Sequence, residues 1–455
     1  MIDSSTNIAF LIVDSLRKDR VNQETTPYLY QLSQEGVGFS NMYAAGPSTS
    51  EACFSLHLSR YFSDVSGIGV PESEFTTFAE SLPSRYSTIG YSTNPLTSKH
   101  YSYHRGFDQY DSTDLSQTDN LAQVAREYLS EDGMAFEILK NTYYKFRKLR
   151  HSTIYHQRYE SIEQVHNTTT EKINNAVDND NPFFLHHHYM DVHHPYVPPK
   201  TDLPDDISPH DAQRLTLEID GSTKEGITQR GEKMGIGDPI GAVKDLYDLS
   251  CTHLDSKIKE FHTELPEDTL TIIVGDHGEM FGEQGLFGHP HEMWNEVIHV
   301  PCIFHHPSLE TTTITKQQTA LNIAPTAIDL IGGKVPNMMR GDPIDMTDPH
   351  SEEYTFSMAG DPVTVGMVRS KDYKWAIHRA TQLKGLTGRN HGELLLPTDQ
   401  SESIKNGRMC LDTNKDTAKE LSSLFDSVTS EKTSAAGVDL DDEELRDHLE
   451  HLGYM

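Results

Sequence analysis

The sequence predicts a doubly wound α/β fold: a mainly parallel sheet with helices on both faces, followed by a smaller α+β unit at the C-terminus. Three observations carry that expectation. Ile8–Val13 is an unbroken apolar run, Ile-Ala-Phe-Leu-Ile-Val, ending in Asp14, the pattern of a strand buried on both faces. Strand-like and helix-like segments then alternate, as in repeated βαβ units. Asp14, Asp191-Val192-His193 and Asp276-His277 each follow a predicted strand, where open α/β sheets collect their ligands.

After the first strand, Thr25-Thr26-Pro27 opens a helix through Tyr28, Leu29 and Leu32 that stops at Gly36. Proline suits a first helical turn and glycine the end of a last one. Ser87–Tyr91, Pro182–Tyr189, Leu270–Val274 and Pro301–His305 read as further strands. The helical segments are Thr76–Leu82, a long polar stretch from about Ala122 to Val177, Ala242–Leu265, and Leu321–Leu330, ended by Gly332-Gly333. Residues 200–240, polar and rich in Asp, Gly and Thr, are expected to form a surface insertion. From about Asp345 the pattern turns to strands at Tyr354–Met358, Thr364–Arg369 and Tyr373–Ile377, then to a helical acidic tail. The expected division is a main unit over residues 1–345 and a C-terminal α+β subdomain with the tail over 346–455.

Composition narrows the function. The 455 residues include 69 acidic and 38 basic ones, a net charge of −31 with histidine neutral. That charge repels a phosphate backbone and argues against a nucleic-acid binder. Hydrophobic residues reach only 35% and the mean hydropathy is −0.57. Yet 17 Phe and 20 Tyr would be wasted on a disordered chain. The surplus carboxylates are therefore expected on a solvated surface, as in halophilic proteins, where salt screens dense charge. Four cysteines without a CxxC pair suit a reducing compartment. No run approaches the ~18 apolar residues that span a bilayer, and the N-terminus lacks a secretory pattern, so a cytoplasmic protein without membrane insertion is expected.

The strongest local chemical signal is Asp276-His277-Gly278-Glu279 directly after Thr-Ile-Ile-Val-Gly. Adjacent Asp and His at a strand end offer a hard oxygen and an imidazole nitrogen to one divalent cation, although such a pair on a turn also serves structure. Asp14 adds a carboxylate at another strand end, where a helix N-cap is the plainer role.

Together these motifs resemble the sulfatase family of the alkaline-phosphatase superfamily. Members open with Asn-Ile-x-x-Ile-x-x-Asp and a Leu-Arg-x-Asp run, here Asn7-Ile8 to Asp14 and Leu16-Arg17-Lys18-Asp19. They carry Asp-Pro-His-x-Pro-Tyr, here Asp191-Val192-His193-His194-Pro195-Tyr196. They carry Ser-Asp-His-Gly-Glu, then Gly-His and Val-Pro, here Asp276 to Glu279, Gly288-His289 and Val300-Pro301. Ala324-Pro325-Thr326 and Leu452-Gly453-Tyr454 are similar too. The resemblance implies an alkaline-phosphatase-like mixed sheet sandwiched by helices, and one divalent metal ion (Ca²⁺, Mg²⁺, Mn²⁺ or Zn²⁺) on Asp14, Asp276 and His277. It implies His193 and His289 as imidazoles that contact the ester and protonate the leaving group. His186, His187 and His188, on a strand and alternating in face, are expected to be structural.

The nucleophile segment departs from the family. Typical sulfatases have Cys-x-Pro-Ser-Arg, whose Cys becomes formylglycine; here it is Thr49-Ser50-Glu51-Ala52-Cys53. In that register Thr49 is the nucleophile, Glu51 replaces Pro, Cys53 replaces Arg and Ser59 replaces a later Gly. Thr49 could equally cap its helix. Asn94 takes the place of a substrate-binding Lys, and Ser15 that of a second metal-binding Asp. Arg17 either orients the site and substrate or pairs with an acidic neighbour. The expected function is metal-dependent hydrolysis of a small-molecule or glycan sulfate, phosphate or phosphonate ester through Thr49. Two alternatives are transfer of the group to a sugar or lipid hydroxyl, and a non-catalytic member that binds an anionic glycan.

Overall fold

The structure, a computed structural model, describes residues 2–112, 162–217, 219–360, 363–378, 392–398 and 402–430. Its centre is strand β1 (Asn7–Val13), every residue of which after Asn7 is buried. Around it lie β2 (Val37–Phe39), β3 (Ser87–Ser92), β4 (Gln109–Ser112), β5 (Phe183–Tyr189), β6 (Thr269–Gly275), β7 (Cys302–His305) and β8 (Thr312–Ile314). They form one sheet in the order β8-β2-β7-β6-β1-β5-β3-β4. β1 runs parallel to both β5 and β6, while β7 runs antiparallel to β6 and β2, so the sheet is mixed.

The apolar run of β1 divides between two cores because successive side chains point to opposite faces. Ile8, Phe10 and Ile12 join one core with Phe54, Phe184 and Ile328. Ala9, Leu11 and Val13 join the other with Leu185, Leu246 and Ile258. Each large side chain so buried stabilises the fold by roughly 1.5–3 kcal/mol. One set of helices covers each face: α2 (Thr49–Leu58) and α7 (Ile323–Leu330) on the first, α1 (Pro27–Glu35), α3 (Ile162–Asp178) and α6 (Pro239–Glu264) on the second.

Most predicted elements are present with ends shifted by a few residues. The Thr76–Leu82 segment shrinks to one turn, Phe78–Ser81, closed by a capping box between Thr77 and Glu80. Of the stretch from Ala122 to Val177, residues 122–161 lie outside the described residues. The polar 200–240 stretch holds α4 (Pro209–Thr216) and α5 (Lys224–Met234), capped by Ser208 and Thr223 and packed through Ala212, Leu215 and Ile227. C-terminally, β9 (Thr355–Ala359), β10 (Val365–Arg369), β11 (Tyr373–His378) and β12 (Gly392–Pro397) form an antiparallel sheet. β12 is absent from the sequence expectation. Helices α8 (Ile404–Thr413) and α9 (Lys415–Thr429) follow. The end of the acidic tail, with Leu452-Gly453-Tyr454, lies outside the described residues. No helix among the described residues is long and apolar enough to cross a membrane.

Candidate active site

The site forms at the carboxyl ends of β1, β5, β6 and β3. Past Val13 the chain delivers Asp14; past Gly275 it delivers Asp276 and His277; all three are buried. Ser15 turns the chain with a left-handed backbone, φ 60°. In that turn its N–H donates to Asp276 Oδ1 at 3.0 Å and its hydroxyl to Asp14 Oδ1 at 3.0 Å. The two carboxylates are thus tied together through one residue. Gly278 is required by crowding: a Cβ there would meet the Glu296 carbonyl at 2.1 Å. The close approach lets the Gly278 N–H donate to the Val297 carbonyl at 2.6 Å, fixing the loop that holds His277.

Helix α2 aims its N-terminus at the same place. Ser48 occupies the cap position, without a capping hydrogen bond, and Thr49 is the first helical residue, fully buried. Thr49 is therefore not the cap. Its Oγ1 lies 3.3 Å from Asp14 Oδ2 and 3.4 Å from His277 Nε2. Asn94, just past β3, donates through Nδ2 to Asp14 Oδ2 at 2.7 Å and approaches Thr49 Oγ1 at 3.4 Å. One turn along α2, the Cys53 thiol points at Asp276 Oδ2, 3.8 Å away. Glu51 accepts a hydrogen bond from the Ser48 hydroxyl. Ser59 ends the helix in a left-handed conformation, φ 52°, the geometry that favours glycine there.

The imidazoles complete the ring. His277 Nδ1 is 2.9 Å from the Gly278 carbonyl, His193 Nδ1 is 2.6 Å from the His194 carbonyl, and His289 Nδ1 is 3.2 Å from Glu279 Oε1. Each Nδ1 thus has an oxygen partner that holds its ring in place. The His193 and His289 rings are 5.0 Å apart, and those of His277 and His289 4.6 Å. Ring nitrogens of His193, His194 and His289 lie within 4.8 Å of one another.

His188 is the residue the sequence reading misses. His186 packs edge-on against Phe10 and His57, and His187 stacks on Tyr189 at 3.9 Å, so both are structural as expected. His188, two residues beyond His186 on the same face, reaches past the core to the site. Its Nε2 lies 3.4 Å from Asp14 Oδ2 and 3.8 Å from Asp276 Oδ2. The signal available in the sequence was its position near the strand's carboxyl end, level with Ile12 of β1.

Arg17 shows the pairing role. Its guanidinium donates to both Asp19 oxygens at 2.9 and 2.8 Å, to Glu283 Oε1 at 2.9 Å and to the Glu279 carbonyl at 2.9 Å. It braces the loop after His277 and does not face the reacting groups. The insertion also contributes: Gly221 and Ser222 exchange backbone hydrogen bonds with Phe287, at 3.0 and 3.1 Å, and so hold the strand that presents His289.

Burial makes this charge cluster costly unless a cation is shared. Burial and the neighbouring Asp14 push the Asp276 carboxyl well up. At Asp14 burial is outweighed by His193, His188 and His277, which hold it well down. Burial, with the charges of His277 and His193, holds His289 well below the usual imidazole range. Burial pushes Glu279 up to about 7. Oxygen and nitrogen atoms of Asp14, Asp276 and His277 lie within 4.8 Å of one another, a donor set that fits one divalent cation.

Beside His193 and His194 opens a cavity of about 570 Å³, lined among others by Thr93, Glu163, Asp191, Pro198, Ser250 and His253.

The fold, with this cluster at the carboxyl edge of its sheet, is that of a sulfuric or phosphoric ester hydrolase of the alkaline-phosphatase superfamily. The family model described as Sulfatase matches residues 6–333, and the chain belongs to that family. Solved structures agree on the fold. The phosphonate monoester hydrolase SpPMH from Silicibacter pomeroyi superposes with a TM-score of 0.61 at 16% identity, covering 93% of this chain and 94% of its own. BT4656, solved in complex with its substrate D-glucosamine-2-N,6-O-disulfate, gives 0.64 at 15% identity, covering 94% and 98%. BT1596, a 2-O GAG sulfatase, gives 0.59 at 17% identity, covering 94% and 92%. No curated protein matches the chain in sequence.

Proposed function

We propose that the protein hydrolyses a sulfate, phosphate or phosphonate ester with Thr49 as the attacking nucleophile and a divalent cation held by Asp14, Asp276 and His277. The observation that carries this reading is the placement of Thr49 Oγ1, 3.3 Å from Asp14 and 3.4 Å from His277, at the N-terminus of α2. A helix N-terminus presents unpaired N–H groups and a positive dipole end to an anionic ester. The cation, when bound, lowers the hydroxyl pKa and neutralises charge on the ester oxygens. Asp14 stands ready to accept the Thr49 proton, and Asn94 orients both oxygens. His193 donates a proton to the departing alkoxide. His289, held neutral by burial, accepts a proton from the water that clears the Thr49 ester.

A threonine ester cannot revert to an aldehyde as a formylglycine adduct does, so its second step is attack at the same sulfur or phosphorus. That requirement favours phosphorus. The described lining of the cavity beside His193 carries Glu163, paired with Lys257 at 3.1 Å, and Asp191, and neither Lys nor Arg, which suits a small neutral leaving group better than a polysulfated chain. The cysteines are unpaired, three of them buried, in keeping with a reducing cytoplasm.

The test is covalent trapping. Rapid acid quench of the metal-loaded protein with a nitrophenyl ester should add one sulfuryl or phosphoryl group at Thr49. Thr49→Ala should abolish that adduct and turnover while retaining metal. Since Ser48 holds the cap position, Thr49→Ala should lose little of the ~1 kcal/mol a capping residue contributes. An adduct at Ser48 or Ser50 that survives in Thr49→Ala overturns the assignment.

A further inference from the structure

Three separate segments deliver the reacting groups. The turn after β1 brings Asp14, the loop after β6 brings Asp276 and His277, and the loop after β5 brings His193. One side chain outside all three, Tyr247 on α6, touches each of them and is fully buried. Its hydroxyl donates to the Ser15 carbonyl at 2.8 Å and accepts from the Arg17 N–H at 3.0 Å. These roles cannot be exchanged, since a backbone N–H only donates and a carbonyl only accepts. Its ring packs edge-on against Tyr196 at 5.3 Å, in the segment that carries His193. The same ring meets Phe281 at 4.7 Å, in the loop beyond His277.

Ser15 needs such a hold. Its backbone is left-handed, φ 60°, a region that glycine enters freely and serine keeps only where the surroundings fix it. The same residue ties the two carboxylates together, its N–H to Asp276 Oδ1 and its hydroxyl to Asp14 Oδ1, each at 3.0 Å. Rotation about that φ turns the N–H relative to the hydroxyl and the carbonyl, so the three contacts of Ser15 cannot all survive it. The Tyr247 hydroxyl bonds the chain on both sides of Leu16, directly after Ser15, and so locks the turn from behind.

We propose that Tyr247 is a positioning residue for the metal-binding carboxylates: through Ser15 it sets the spacing of Asp14 and Asp276, and with it cation affinity and the rate of attack by Thr49. This rests on the metal-dependent reading above and deepens it. Ring and hydroxyl have different tasks. The ring fills core space beside Tyr196 and Phe281, which phenylalanine would do equally well. The hydroxyl holds the turn.

The test uses the full chain and Tyr247→Phe, which deletes both hydrogen bonds and keeps the ring. After chelation, titration with Zn²⁺ and with Mn²⁺ should show one ion per chain in both proteins. The variant should bind it about 10–100-fold more weakly, the loss typical of a residue that orients a ligand. At saturating metal, kcat for a nitrophenyl ester should fall by a similar factor with KM nearly unchanged, because nucleophile and cation shift while the leaving-group cavity does not. A hydroxyl that serves only stability would lower the urea midpoint and leave the metal affinity and kcat of the folded variant as they were. That result overturns the proposal. Should Tyr247→Phe fail to fold, as read by near-ultraviolet circular dichroism, amide hydrogen exchange of the wild type decides. An Arg17 N–H protected to the level of β1 supports the clamp, and exchange at loop rates overturns it. Metal binding lost in Asp276→Ala upholds the metal reading whatever Tyr247→Phe does, and a wild-type chain that binds no divalent ion overturns both.

Discussion

His193 and His289 sit 5.0 Å apart by ring centre, yet their far nitrogens are held differently. His193 leans on a backbone carbonyl, His289 on the Glu279 carboxyl. The assignment of His193 as proton donor has a kinetic signature. His193→Ala should slow esters of basic alcohols by about 10²–10⁴-fold and nitrophenyl esters far less, because only a basic leaving group needs the proton. Equal losses in kcat/KM for both substrate types would make His193 a positioning residue. At this scale Asp14, Asp276 and His277 were legible because each follows an unbroken apolar run, and a parallel strand's carboxyl end is where ligands gather. His188 was not, since alternation assigns a face but not how far along that face the core stops. The pairing of Arg17 with Glu283 was equally hidden, the two being 266 residues apart in sequence.

At the scale of elements, the C-terminal sheet proves to be fastened to the catalytic loop. Lys374 on β11 is fully buried; it pairs with Glu402 and donates to the Met293 carbonyl at 2.8 Å. Glu402 in turn accepts from the Asn295 N–H at 3.0 Å. Just beyond, the carbonyls of Glu296 and Val297 hold Glu279 and Gly278, at 3.0 and 2.6 Å, beside His277. Glu402→Ala should therefore cost about 3–5 kcal/mol in urea unfolding, since it strands a buried ammonium. Replacing both partners, Lys374→Met with Glu402→Leu, should cost much less. A loss below about 1 kcal/mol for Glu402→Ala would show the pair to be incidental. The strands of this unit were visible in the sequence through short β-branched and aromatic runs. The last, Gly-Glu-Leu-Leu-Leu-Pro, was not, because Gly, Glu and Pro are poor strand formers and its pairing with β11 supplies what propensity lacks. The 200–240 insertion shows the same limit. Its polarity hid two capped helices and the backbone pairing that positions His289.

For the whole molecule, the surplus of carboxylates is the conspicuous feature of the sequence, but its acid response should be governed by buried imidazoles. Burial holds His57 down to about 3, and His166, His262 and His299 to about 4. In the unfolded chain these groups take up protons near pH 6.5. Between that pH and the folded values the unfolded state binds more protons, so stability rises with pH and is lost as pH falls below about 6.5. Each such histidine costs ~1.4 kcal/mol per pH unit in that window, and four of them consume much of a typical 5–15 kcal/mol. Most carboxylates are still ionised there. Glu279 and Asp220, pushed up by burial to about 7, and Asp191, to about 6, take up protons in the folded state and offset part of this loss, but the buried imidazoles outnumber them. The urea midpoint should therefore drop sharply from pH 7.5 to 5.5, and should do so in 1 M salt as well, because the cause is burial rather than screened surface charge. His57 isolates one share of the effect. Among the described residues neither of its ring nitrogens has a hydrogen-bond partner, and it lies 6.0 Å from Phe107 in a stacked pair and 5.3 Å from Tyr103. His57→Phe puts an apolar ring among aromatic neighbours, so the variant should be more stable than wild type at pH 5.5, with a pH slope lower by ~1.4 kcal/mol per unit. A midpoint that stays level between pH 7.5 and 5.5 would refute the account, and an unchanged slope in His57→Phe would remove this residue from it.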